Sequence, residues 1–322
     1  MRTPLLIAAF SALMAAFTHT SATAAWPEKP IRLVVPWPAG GSSDAAARIV
    51  SRHLAERLKQ PILVDNKAGA SGNIGTAEVG RAAPDGYTLL LSSGPFSINP
   101  SLFRTLPFNT LADFTPVAQI ANTPSVLVVH PSTPAQNMQD FLALARKTDQ
   151  PLAVATAGNG SAQHLALELL RKKAGLNINH IPYKGGAPAL NDLLGGQVPA
   201  MMSGFPEVSA HIRSGKLRAL AVTTPGRTSF LGQVPALTEL GLADSGTAGW
   251  NGIHVPARTP AAIVARLHAE VNAVLDLPEV REQLGSLGFE VRRGTQEEFA
   301  AFVQQQIARW REAVELSGAR VD

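Results

Sequence analysis

The chain runs through one order of elements twice, and that repeat points to a two-lobed α/β architecture. Residues 31–94 read as strand, Gly-rich turn, helix, strand, Lys-x-Gly, a Gly-marked helix, strand and Ser-Gly; residues 152–204 repeat that order. The first copy opens IRLVVPWPAGGSSDAAARIVSRHLAERL and continues PILVDNKAG and GYTLLLSSG. The second opens LAVATAGNGSAQHLALELLRKKAGL and continues INHIPYKGG and GQVPAMMSG. Strand, helix and parallel strand form a right-handed crossover unit. Two such lobes would aim two Gly-rich turns, each at a helix N-terminus, into one cleft. The first amides of a helix lack internal acceptors and lie at the positive end of its dipole, so the cleft suits an anion.

The length, 322 residues with 45% hydrophobic, is enough for two packed lobes. Arg2, the apolar residues 4–17 and Ala22-Thr23-Ala24 form a secretory leader, with cleavage expected after Ala24 and Ala25 as the alternative. The apolar stretch is shorter than the ~18 residues that span a bilayer, and no later segment reaches that length. The mature chain is therefore expected to be soluble and periplasmic. With no cysteine there is no disulfide framework, no catalytic thiol and no lipid-modified anchor. Lys+Arg 28 less Arg2 leaves 27 against Asp+Glu 24, a mild +3. The densest basic run, residues 171–173, closes a predicted helix, where cations complement the dipole. No interleaved aromatics accompany it, so nucleic acid is not an expected partner. A monomer is the default.

The pattern predicts a discontinuous first lobe, residues 25–124 plus 248–322, and a second lobe of residues 125–247. Crossover strands at 125–129 and 250–255 would form the hinge. Ser42 or Ser43 should cap the first helix, with Val50, Leu54 and Leu58 as its buried stripe. Residues 92–96 and 107–116 read as loops. Thr259 should cap a helix with Pro260 at its first position. Thr295-x-x-Glu298 is a capping box, followed by Phe299, Val303, Ile307, Trp310 and Val314 and ended by Gly318.

The candidate site residues lie in four loops. Ala39, Gly40, Gly41, Ser42 and Ser43 join a strand to a helix, and Asn159, Gly160 and Ser161 have the same setting in the second copy. Asp44 stands in a first helical turn, where an acid ordinarily complements the dipole. Its functional version hydrogen-bonds loop amides and holds the anion nest in shape. Ser161 and His164 are neighbours on one helix face and could make a nucleophilic dyad. The ordinary reading is an N-cap Ser with a first-turn His, since no G-x-S-x-G elbow occurs. Gly158-x-Gly160 lacks the third glycine of a dinucleotide fingerprint, so no nicotinamide cofactor is expected. The seven mature histidines are scattered, and no metal site is expected. Lys67 and Lys184 occupy matching places after the second strand of each copy and read first as solvated. Phe96, Phe205 and Trp250 are candidate cleft aromatics, with core packing the default.

At these residues the chain resembles the Bug-type substrate-binding proteins of tripartite tricarboxylate transporters. The motifs that carry the resemblance are WPEKPIRLVVPWPAGGSSDAAAR, GASGNIGTAEVGRAAPDGYTLLL, the NP of SINP followed by LPF, GNGSAQHLALELL, IPYKGGAPALNDLLGGQV, GKLRALAVTT and IARWREAVELSGARVD. They cover essentially all of the mature chain, in order. The resemblance implies a type II periplasmic-binding-protein fold whose two lobes close on a small carboxylated solute. The solute carboxylate would be held by residues 39–44 and 158–164, partly through water, and a membrane permease would be the partner. Two loops depart from the common family pattern. Ser203-Gly204 stands where many members carry Asp-Asn, and Ser92-Ser93-Gly94-Pro95-Phe96 replaces a Gly-Thr run with a His. Losing an acid and gaining Phe96 leads to the expectation of a bulkier or less polar acid rather than an amino acid. Two rival readings are an exported hydrolase using Ser161 and His164, and a sensor for a signalling partner.

Overall fold

The computed structural model describes residues 26–147, 150–224, 226–242 and 249–320. The expected leader and its expected cleavage position lie outside them. The chain begins β1 (Ile31–Val35), α1 (Ser42–Leu58), β2 (Ile62–Asn66), α2 (Asn73–Gly80), β3 (Thr88–Ser93), α3 (Gly94–Leu102) and β4 (Phe114–Thr123). It continues β5 (Ser125–Val129), α4 (Met138–Lys147), β6 (Leu152–Thr156), α5 (Ala162–Ala174), β7 (Ile178–Pro182), α6 (Gly186–Leu194), β8 (Ala200–Gly204), α7 (Phe205–Arg213) and β9 (Arg218–Val222). It ends β10 (Gly249–Pro256), α8 (Ala261–Leu275), α9 (Pro278–Ser286), β11 (Glu290–Val291) and α10 (Gln296–Ser317).

Two open mixed sheets result. The first has the order β11-β4-β10-β3-β1-β2 and the second β7-β6-β8-β5-β9. β1 is apolar and mostly β-branched apart from Arg32, and it lies between and parallel to β2 and β3. β6 holds the equivalent place in the second sheet, parallel to β7 and β8. The chain passes from the first sheet to the second where β4 gives way to β5 across Pro124. Proline has no N–H to donate to a ladder, and the Pro124 carbonyl accepts instead from Phe205 N at 2.8 Å. The carboxyl end of β8 therefore lies beside the passage between sheets, with Gly204 opposite Ser125.

Several local expectations need correction. Gly41, not Ser42 or Ser43, is the N-cap of α1, and no side chain caps that helix. Residues 92–96 are not a loop. β3 runs to Ser93, and Gly94 and Pro95 open α3, since proline fits a first turn whose N–H needs no internal acceptor. Residues 107–116 are a loop only in part, because β4 starts at Phe114 and pairs with β10. Thr259 does not cap α8; its hydroxyl donates to the Pro256 carbonyl at 2.7 Å, and the helix starts after Pro260. Helix α9 was not anticipated. The capping box of α10 is present as read: Glu298 N donates to Thr295 Oγ1 at 3.1 Å and Thr295 N to Glu298 Oε2 at 2.8 Å. Gly318 ends that helix at φ 70°, in the left-handed region.

Candidate functional site

The first Gly-rich loop leaves the carboxyl end of β1, where open α/β sheets hold their ligands. Ala39, Gly40 and Gly41 are exposed, Ser42 and Ser43 half-buried and Asp44 buried. Gly40 has φ +84°, which only glycine adopts without strain. Its N–H donates to Asp44 Oδ2 at 2.9 Å, Arg48 Nε donates to the same oxygen at 2.9 Å, and Asn66 Nδ2 donates to Oδ1 at 3.0 Å. Burial would raise the Asp44 pKa, but the hydrogen bonds from Arg48, Gly40 and Asn66 outweigh it and hold the carboxyl below its ordinary value. Asp44 is thus a charged clamp behind the loop. Asn66 also donates to the Trp37 carbonyl at 3.0 Å, Trp37 Nε1 to Ser93 Oγ at 3.0 Å, and Asn251 Nδ2 to Ser43 Oγ at 3.1 Å.

The second loop leaves β6 in the same way. Asn159 is exposed and Gly160 is buried with φ +74°. Gly160 N donates to His164 Nδ1 at 3.1 Å. The two loops therefore share one device: a glycine N–H donating to the side chain four residues on, Gly40 to Asp44 and Gly160 to His164. Because Nδ1 accepts, the neutral ring carries its proton on Nε2. The His164 ring stacks on His180 at 4.1 Å and 13°. His180 Nε2 in turn hydrogen-bonds Thr156 Oγ1 at 2.7 Å, and Gly158 N donates to that hydroxyl at 3.2 Å. Burial, with smaller effects from His164 and Arg171, pushes His180 down to about 4; burial, partly opposed by Glu168, lowers His164 as well. Both rings are neutral at pH 7.

This geometry removes the Ser161/His164 dyad. Ser161 Oγ is the N-cap of α5 and accepts from the His164 backbone N at 3.1 Å. The ring nitrogen that faces the loop is already taken by Gly160.

The second loop and the start of α5 pack against α3. A Cβ at Gly94 would lie 3.8 Å from the Ala162 Cβ, and one at Gly160 would lie 2.0 Å from Leu102 Cδ2. Gly160 thus permits a contact that no other residue allows without displacing Leu102. Pro95 is half-buried at the start of α3. Ser203 is buried, and its hydroxyl bonds the Gly204 carbonyl at 3.2 Å and Glu207 Oε2 at 3.1 Å. Gly204 lies beside the Gln163 amide, whose Nε2 would be 3.6 Å from a Cβ placed there.

Phe96 belongs both to a core cluster and to the lining of a recess. Its ring is 4% exposed and packs edge-on against Phe114 and Trp250 and tilted against His254. Opening α3 at Gly94 turns it into the first lobe's core, where Phe96 also helps line a small recess with Trp37 and Ser93. Trp250 and Phe205 are buried likewise, the latter stacked on Phe230. Lys67 is drawn to Asp65 at 3.7 Å and Glu78 at 4.0 Å, while Lys184 is exposed. Ser203 keeps no acid of its own, but the Glu207 carboxylate accepts from its hydroxyl at 3.1 Å.

Sequence reasoning missed a small recess beside the first loop, lined among others by Trp37, Ser71, Asn73, Ser93 and Asn99. Asn99 Nδ2 donates to the Ser71 carbonyl at 3.0 Å and Asn73 Oδ1 at 2.7 Å. The GASGN run after β2, with Ala70 and Ser71 at φ 46° and 55°, was the available signal.

Residues 46–318 match the model of the tripartite tricarboxylate transporter family receptor. Protein BugT of Bordetella pertussis is 37% identical over 298 residues, 92% of this chain and 91% of that protein. Among solved structures, an R. palustris protein with adipate superposes at a TM-score of 0.86 with 34% identity, covering 92% of this chain and 100% of that one. MatC from Rhodopseudomonas palustris with bound malate gives 0.82 and 33%, covering 90% and 100%. The chain belongs to the tripartite tricarboxylate transporter receptor family, whose members are periplasmic solute-binding proteins rather than enzymes.

Proposed function

We propose that this chain captures a small carboxylated solute between its two lobes and presents it to a tripartite-type membrane permease, as a monomer exported by its leader. The lobes divide near 124/125 and 247/248, and the solute carboxylate lies against backbone amides of residues 39–43 and 159–161. The observation that carries this reading is the matched pair of clamps, Gly40 to Asp44 and Gly160 to His164. Each shapes a Gly-rich loop at a helix N-terminus, where unpaired amides and the dipole favour negative charge. Relatives that hold adipate and malate fit the same chemistry.

Thermal melting of ligand-stripped mature protein against mono-, di- and tricarboxylates tests it. A ligand at a hundred times its dissociation constant stabilises by about 2.7 kcal/mol, a shift of several degrees. A shift for one acid class without consumption of the compound is the expected result; no shift across all acids would remove the anion cleft.

Asp44→Ala removes the first clamp while leaving every proposed solute contact in place. It should weaken binding of the best acid at least tenfold and lower stability by about 2 kcal/mol, the scale of a charge-assisted buried hydrogen bond. Isothermal titration and urea unfolding read the two effects. Unchanged affinity would show that the loop holds its shape without Asp44.

A further inference from the structure

The basic run at residues 171–173 belongs to a larger charged surface that the helix dipole alone does not explain. In the second sheet β6, β7, β8 and β9 run in one direction, with only β5 opposed. The second Gly-rich loop leaves the carboxyl end of β6, so the amino ends of these strands form the opposite pole of the lobe. Helices α4, α5, α6 and α7 lead into β6, β7, β8 and β9 and therefore end at that pole. The ends of α4 and α5 touch: Arg146 Nε and Nη2 donate to the Ala174 carbonyl at 3.1 and 2.9 Å, and Asn177 N donates to the Ala145 carbonyl at 3.0 Å. Arg218 opens β9 opposite Val129 and donates to the Ala135 carbonyl, just ahead of α4, at 3.1 Å.

The charge of the chain is gathered here. Residues 125–247 carry ten Lys+Arg and seven Asp+Glu, whereas residues 26–124 and 248–322 together carry 17 of each. The whole +3 of the chain beyond the expected leader thus lies in the second lobe. Eight of its ten cations stand at this pole. Arg146 and Lys147 close α4, residues 171–173 close α5, Arg213 closes α7, and Lys216 precedes Arg218. Four helix ends of roughly −0.5 each supply about −2, too little to balance them. Glu168 is already held by Arg171 at 2.6 Å, and Asp192 by the Tyr183 hydroxyl at 2.6 Å. Lys147, Lys173, Arg213 and Lys216 are exposed and form no ion pair among the described residues. The exposed large hydrophobics among those residues, Leu63, Ile74 and Leu111, all lie in the first lobe. Protein interfaces have an apolar core inside a polar rim. A cationic face without an apolar anchor instead fits a diffuse anionic layer, such as phospholipid headgroups.

We propose that the amino-end pole of the second sheet is an electrostatic docking surface for anionic phospholipid headgroups. It holds the receptor at the membrane, with the second solute loop at the far end of the lobe. The attraction acts within a Debye length, about 10 Å at 0.1 M salt, so the contact is reversible. It does not depend on which solute is bound.

Sedimentation of the mature protein with vesicles of equal parts phosphatidylglycerol and phosphatidylcholine, against phosphatidylcholine alone, tests it. Wild type should bind the anionic vesicles in about 0.02 M salt and leave them at about 0.3 M. It should not bind the neutral ones. Lys147→Gln, Lys173→Gln, Arg213→Gln and Lys216→Gln together should weaken binding by at least about thirtyfold, since each cation near such a surface is worth about fivefold. A control with Lys59→Gln, Arg81→Gln, Arg258→Gln and Arg311→Gln removes the same charge from exposed places in the first lobe, and should lose less than about fivefold. Equal losses in the two variants would reduce the effect to net charge and overturn the assignment. Wild-type binding to neutral vesicles, or none to anionic vesicles at low salt, would overturn it as well. Should the fourfold variant melt early, Lys147→Gln with Lys173→Gln should still lose at least about tenfold, and a loss no larger than the control's would count against the pole. The solute-induced melting shift should be the same in wild type and the pole variant, so a failure here leaves the receptor reading standing.

Discussion

Trp310→Ala is expected to lower the unfolding free energy by about 3–5 kcal/mol, the usual cost of emptying a buried aromatic site. Trp310 lies in α10 with no exposed surface and packs with Ile98 and Leu102 of α3, Ala162 and Leu165 of α5, and Ala313 and Val314. Its Nε1 has no acceptor among the described residues, so the loss is one of apolar contact rather than of a hydrogen bond. Of the apolar clusters formed by described residues, this one draws on helices from both lobes. Leu102, which fills the space in front of Gly160, belongs to it. The substitution should therefore act twice, lowering the melting midpoint by roughly 6–20 °C at about 2–4 °C per kcal/mol, and weakening solute binding although Trp310 touches no solute. Trp310→Phe, which retains most of the volume, should lose less than half as much of each. Calorimetric melting with and without ligand reads both effects. A Trp310→Ala midpoint within about 2 °C of wild type would mean that the two lobes are joined elsewhere.

The parts of this molecule that were legible in its sequence are those encoded within a few residues. The apolar run of β1, the capping box at Thr295 and Glu298, and the left-handed Gly318 all depend on local geometry, and each is found where the residues put it. The Gly-rich turns were legible for the same reason, since positive φ at Gly40 and Gly160 is a local demand. Helix α3 was hidden by its composition: Gly94 and Pro95 at its start and Pro100 inside it all read as turn residues. Only its packing on α10 and β10 makes GPFSINPSL helical, so tertiary contact overrides propensity there. β4 was hidden in part because Pro107 and Pro116 flank its start. Within the site, Asp44 could be assigned its loop because its partner Gly40 is four residues away. Asn66 and Asn251 could not, because they lie on strands 22 and 208 residues from their partners Asp44 and Ser43 in α1.

Acid should destabilise this protein well above the pH at which its carboxylates titrate. His254 is 2% exposed, with its ring against Phe96 and Phe299. Ser92 Oγ donates to the Gly252 carbonyl at 3.0 Å and lies 2.8 Å from His254 Nδ1, which places the imidazole proton on Nδ1. Burial pushes His254 down to about 3, and His180 is pushed to about 4. In the unfolded chain both titrate near 6.5. Between these values the unfolded state binds protons that the folded state refuses, so stability is full above about pH 6.5 and falls as pH drops, by about 1.4 kcal/mol per unit for each such group. From pH 7.5 to 5, His254 should remove about 2 kcal/mol, and half-exposed His180, discounted for solvent screening, about 1. His164 acts in the same direction, and Glu207, whose folded pKa is raised, in the opposite one. Urea unfolding between pH 5 and 7.5 should show this slope. His254→Phe fills the same apolar space and leaves Ser92 its bond to Gly252, so it should flatten the slope by about one proton. Parallel wild-type and His254→Phe curves would mean that His254 takes up its proton without leaving the fold. The His164–His180 stack links the same pH window to the binding loop. Protonating either ring places a charge against its partner, and protonating His164 at Nδ1 also ends its bond from Gly160. Solute affinity should therefore fall together with stability as pH approaches 4, before the clamp at Asp44 is lost.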